Sequence, residues 1–300
     1  LAEQDETKTT APVAPPAPPA PDAETKAPPP ARTHVVRFAL RERRLHLMMM
    51  TSFLLLALTG IPLLFAETTW AGKLARLMGG YGVTGKIHRF GALLMVTCFS
   101  LHVGRLVHRI FIKREYGILW GPNSMVPQPR DFIDMVQHFR WFAGLGPRPQ
   151  FERFTYWEKF DYWAVFWGMG IIGLSGLMLW TPATFSRVLP GWVFNIALVV
   201  HGEEALMAMV FIFTVHFFNG HLRPDKFPMD TVIFTGRVSV EELKHERPGE
   251  YHRLQEEGRL QDLLVEAPTE EQVKTGHTIG SVAVTVGLII AGLAIWASLR

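Results

Sequence analysis

Four histidines stand in two long apolar stretches, His88 and His102 fourteen residues apart and His201 and His216 fifteen apart. On an α-helix at ~1.5 Å rise and ~100° per residue, the members of each pair share roughly one face, ~21–22 Å apart along the axis. A histidine inside a hydrocarbon span is costly and needs a reason. Neutral imidazole is a standard axial ligand of haem iron. Two matched pairs therefore predict two helices that hold two haems, one above the other. A lone membrane histidine has other uses, as a helix-to-helix hydrogen bonder or a step in a proton path.

The elements that must carry these residues are membrane spans. The 300-residue chain is 48% hydrophobic, and its apolar residues are segregated. Runs near 46–66, 88–112, 160–180, 193–220 and 277–300 each approach the ~20 residues that cross a ~30 Å hydrocarbon layer. The expected fold class is an all-α integral membrane protein, a four-helix transmembrane haem-binding bundle over 37–222 with a fifth C-terminal span. Residues 1–36, rich in Pro and Ala, are expected as a tether without a packed core. Residues 223–276 are expected as an extramembrane segment in which Ser239 and Glu242 open a polar helix running towards Leu254. Its Glu241, Glu242, Lys244 and Glu246 are expected to form a solvated face or to touch a partner.

The formal charge of +3 is too small to point to nucleic acid, and the basic residues lie beside the spans. Cys98 is the only cysteine, so a Cys-x-x-Cys-His attachment site is absent and any haem is non-covalent, that is, b-type. Arg37, Arg41, Arg43 and Arg44 precede the first span, and seven Lys and Arg residues stand in or beside the second connection, whereas the 181–192 connection has only Arg187. The positive-inside rule then places the N-terminus in the cytoplasm and the C-terminus outside, in a bacterial cytoplasmic membrane. Spans two and four both run inwards, so His88 and His201 match in depth near the outer face, and His102 and His216 match deeper.

Residues 87–105, IHRFGALLMVTCFSLHVGR, resemble the second helix of the cytochrome b of bc-type complexes and its chloroplast b/f counterpart, and the His201–His216 spacing is similar to the fourth helix of the chloroplast form. The first span, RLHLMMMTSFLLLALTGIPLLF, instead resembles the membrane cytochrome b subunits of respiratory formate dehydrogenases and nickel–iron hydrogenases. The two relatives imply different inner ligands. The formate dehydrogenase type takes one from the start of span one, here His46, paired with the histidine matching His216, and lacks a second histidine in span two. The helix spacing favours His102, and His46 stays as the alternative inner ligand, a quinone-site residue, or part of a third haem site with His108 and His221.

Arg89 and Arg105, beside ligand histidines, are candidates for haem propionates. Gly60, Gly91, Gly104, Gly170, Gly173 and Gly176 permit close helix or porphyrin approach. The resemblance implies transmembrane electron transfer between a quinone or quinol and a redox partner, within a hetero-oligomeric oxidoreductase. The partner expected is a multihaem cytochrome c or an iron–sulfur subunit on the outer face. Quinone chemistry needs a proton donor or acceptor within hydrogen-bond reach. Candidates are His46, His221, Asn219, Asp161 and Glu158 at the inner side, which the formate dehydrogenase type favours, and Glu203 and Glu204 at the outer side. The reading from a different class is a non-redox membrane anchor or proton-relay subunit.

Overall fold

A computed structural model describes residues 32–299. Most of the expected N-terminal tether lies outside the described residues. Among these, five helices are long and apolar enough to cross a membrane: span one Leu40–Leu64, span two Tyr81–Ile112, span three Tyr156–Trp180, span four Trp192–Leu222 and span five Glu270–Ser298. The protein is an all-α, multi-pass integral membrane protein.

Each span except the fourth begins four to seven residues before its apolar core, because capping groups carry the helix into polar sequence. Thr155 accepts from the Glu158 amide, and Glu158 Oε2 returns to the Thr155 amide at 2.8 Å. Thr269 and Gln272 repeat the arrangement at span five. Span two instead starts from a tight turn in which Gly79 and Gly80 take φ of +94° and +91°, a region that disfavours side chains.

Span five packs on spans one and four. Its Val284, Ile290, Ala291 and Ala294 join Ala57 and Ile61 of span one and Met209, Phe213 and Phe217 of span four in one core. At Gly287 a Cβ would stand 2.6 Å from both Phe213 and Phe217, so only a glycine lets these rings approach. Cys98 is buried and donates Sγ–H to the Leu45 carbonyl at 3.3 Å, a packing contact between spans one and two.

One end of the bundle carries a cap that the all-α expectation did not contain. Strand β1 (Arg32–Val36) is central to a three-stranded antiparallel sheet, with β2 (Arg237–Ser239) and β3 (Leu264–Glu266) on either side. Residues 32–36, the last five of the expected tether, are therefore paired in the sheet. Val35, Val238, Leu243, Leu254 and Leu260 form the cap's core. The expected polar helix is two helices: Ser239 caps Val240–Glu246, and Pro248 ends that helix at Arg247 and opens Pro248–Glu256.

Arginines tie cap to bundle. Arg37 and Arg153 each reach Glu250 at 3.1 Å, and Arg247 reaches Glu158 at 3.0 Å. Glu242 and Glu246, expected in a solvated face, instead take Lys226, while Glu241 and Lys244 remain exposed. We call this end of the bundle the cap end and the opposite end the open end.

Candidate functional site

A cavity of about 2760 Å³ runs along the inside of the bundle, lined among others by His46, His88, His102, His201, His216 and His221. Single small-ligand sites occupy roughly 300–1,000 Å³, so the space admits more than one large group.

Towards the open end, His88 of span two and His201 of span four face each other with ring centroids 6.3 Å apart. Hydrogen bonds fix which nitrogen of each ring is available. Thr59 Oγ1 spends its proton on the Leu55 carbonyl at 2.7 Å, so at 2.9 Å it accepts from His88 Nδ1. His201 Nδ1 donates to the Ile172 carbonyl at 3.0 Å, which can only accept. Both Nε2 atoms therefore keep their lone pairs. Two imidazoles from different spans, each with Nδ1 tied back and an Nε2 lone pair available, are a donor set that fits a b-type haem.

The backbone makes room for these rings. At Gly176 a Cβ would lie 2.7 Å from His201 Cε1, and at Gly60 one would lie 3.4 Å from His88 Cε1. Gly91 instead admits Leu55 and Leu56 of span one, and Gly104 and Gly170 have open space. Span three makes a π-turn at Met169–Gly173, just before Ser175 and Gly176. Span four makes another at Ile212–His216. A π-turn takes up one extra residue, which brings the fifteen-residue spacing of span four into step with fourteen in span two.

The cap end is arranged differently from the spacing argument. His102 does not meet His216 there: its Nε2 is engaged by the Tyr162 hydroxyl at 2.9 Å, with Phe166 against the ring. His216 Nδ1 donates to Asp161 Oδ2 at 2.9 Å, leaving its Nε2 available. His46 lies within electrostatic reach of His216 and His221. The structure thus sets His46, rather than His102, beside His216.

Other candidates divide. His221 packs against Phe217 and Phe234, with a buried Nδ1 that has no hydrogen-bond partner. Asn219 also lines the cavity. His108 is exposed and outside the lining, so the structure does not assemble a third site from His46, His108 and His221. Glu158 is committed to Arg247 and to its own helix cap. Arg105 pairs with Glu42 at 3.6 Å, and Arg89 lies over the Trp180 ring at 5.9 Å. Glu204 accepts from Trp167 Nε1 at 3.4 Å, and Glu203 is exposed.

No family model matches the chain. Over 187 residues, 62% of its length, it is 25% identical to the cytochrome b556(fdo) subunit of formate dehydrogenase from Escherichia coli strain K12, covering 79% of that subunit. The same figures hold for the subunits of that name from E. coli O6:H1 and O157:H7. Over that stretch the chain is similar to a membrane cytochrome b subunit.

Sequence reasoning missed the groups that orient the imidazoles. Thr59 was visible as a hydroxyl in an otherwise apolar span, and Tyr162 as part of YWEKFDYW. The Ile172 carbonyl carries no sequence signal, because a π-turn presents it.

Proposed function

We propose that this chain is the di-haem b, quinone-reactive membrane subunit of a multi-subunit respiratory oxidoreductase, carrying electrons across a bacterial cytoplasmic membrane. The observation that carries the reading is the approach of His88 and His201 from two spans, their ring centroids 6.3 Å apart, each with Nδ1 tied back and Nε2 free. His88 and His201 hold the haem nearer the open end. His46 and His216 hold the haem nearer the cap, the assignment that the Tyr162 bond to His102 favours. Bound there, haem b supplies a one-electron carrier. Arg89 and Arg105 stand beside the two sites as cations for propionates.

The chain's own residues then orient and protonate. Asp161 fixes the His216 ring and raises its basicity as a ligand, the usual service of a carboxylate behind a metal-binding histidine. A quinone exchanges two electrons and two protons with its site, and the cap end offers Asp161, His221 and Asn219 around the cavity. Glu204 at the Trp167 edge is the candidate towards the open end. The cap lies in the cytoplasm with the N-terminus, and span five carries the C-terminus outwards. The partners on the outer face are a multihaem cytochrome c or an iron–sulfur subunit.

The test is a haem count on purified full-length variants by the pyridine haemochrome assay. His46→Ala is expected to lose one of two haems and His102→Ala to keep both. The reverse outcome moves the inner ligand to His102. A colourless wild-type protein leaves the anchor or proton-relay reading.

A further inference from the structure

Between spans two and three, residues Pro129–Phe142 form a fourteen-residue helix, PRDFIDMVQHFRWF, whose sides are reversed with respect to a helix on a water-soluble protein. Its polar side turns inwards. Asp131 takes Lys159 Nζ at 2.8 Å on both carboxylate oxygens, and Asp134 is 8% exposed. His138 on the same side sits among aromatic rings and meets the Tyr156 hydroxyl at 3.1 Å. The outward side carries Phe132, Val136 and Phe139, with Phe132 65% and Phe139 61% exposed. An apolar stripe at helical spacing normally covers a core. A contiguous exposed one marks a surface with a partner.

Two observations identify the partner. The first is depth: Lys159, Tyr156 and Trp157 are residues of the first turn of span three, so their contacts hold the helix level with the point where that span enters the membrane. Trp, Tyr and Lys are residues of the headgroup layer. The second is charge. Arg140 is exposed on the helix, and Lys113 and Arg114 are exposed just after span two, while Arg130, also exposed, pairs with Asp134 and Glu152. A cationic fringe beside a sunken apolar face is the arrangement of helices that lie in the plane of a bilayer bearing anionic lipid.

We propose that Pro129–Phe142 lies in the membrane plane on the cap side, with Phe132, Val136 and Phe139 among the acyl chains and Arg140 at anionic phospholipid headgroups. The helix braces the entry of span three, whose Asp161 and Tyr162 hold the cap-end histidines.

The test uses the full-length chain with Cys98→Ala, carrying a nitroxide at Phe132→Cys, Phe139→Cys or Gln137→Cys, in vesicles of phosphatidylethanolamine and phosphatidylglycerol. The collision rates of each label with oxygen, which concentrates in lipid, and with a water-soluble nickel chelate are compared. At 132 and 139 oxygen is expected to exceed nickel several-fold, and at 137 the balance is expected to shift towards nickel. Nickel excess at 132 and 139 would place the face in water and overturn the proposal. Low collision rates with both reagents would mean a protein partner or a second copy covers the face, which also overturns it. Two label sites on one exposed face keep the result readable if either variant folds poorly.

Discussion

Gly176→Ala is expected to weaken the haem site nearer the open end while leaving the bundle intact. The new Cβ would stand 2.7 Å from His201 Cε1 and 3.1 Å from its Nδ1. The ring cannot swing away without breaking its bond to the Ile172 carbonyl, and Ser175 stands at 3.4 Å from the same nitrogen. Overpacking of this kind costs about 1–3 kcal/mol. If the strain falls on ligation, haem affinity at that site drops by about 5- to 150-fold, at 1.4 kcal/mol per factor of ten. Gly60→Ala is the matched control, because its Cβ would meet His88 Cε1 at 3.4 Å, an ordinary contact. Competition of each variant with apomyoglobin for haem, followed by difference spectra, reads the affinity directly. Equal haem retention in Gly176→Ala, Gly60→Ala and wild type would refute the reasoning, since the His201 ring would then not be held where the bound state needs it.

Three further outcomes follow from the same contacts. Asp161→Ala removes the acceptor of His216 Nδ1–H, and loss of such a partner typically lowers metal affinity about 10- to 100-fold, read as selective loss of the cap-end haem in a titration. Gly287→Val drives a branched side chain into Phe213 and Phe217, so span five should undock, seen as faster proteolysis of the cap-to-span-five link and a lower thermal midpoint. His138 is pushed down to about 4, first by burial and then by Arg148 and Arg223. Its unfolded pKa is near 6.5, so the unfolded chain binds the extra proton between these values, and the stability it contributes is full above about 6.5 and lost as pH falls towards 4. His138→Phe should flatten that part of a stability–pH curve, and an unchanged slope would contradict the assignment.

The spans were legible because apolar residues were concentrated in runs of membrane length, and the basic residues gathered at the ends that prove to carry the cap. The His88–His201 pair was legible because both residues lie at comparable depth on helices of the same direction. At the cap end, equal sequence spacing took no account of a tyrosine hydroxyl, which engages His102 Nε2. The strand Arg32–Val36 was hidden for a different reason, since its partners are about two hundred residues away and a five-residue strand beside a Pro-rich run has no local signature. His138, in a polar stretch of the sequence, stands among Trp141, Phe142, Phe151 and Trp157, because the connection folds back on the first turn of span three.

The most direct measurement is the haem content of the purified full-length chain, by pyridine haemochrome assay per polypeptide, with a redox titration of the same sample. Two b haems titrating as separate one-electron components are the predicted result. A preparation that binds none, or that keeps both after His88 and His201 are changed together to Ala, would contradict the account.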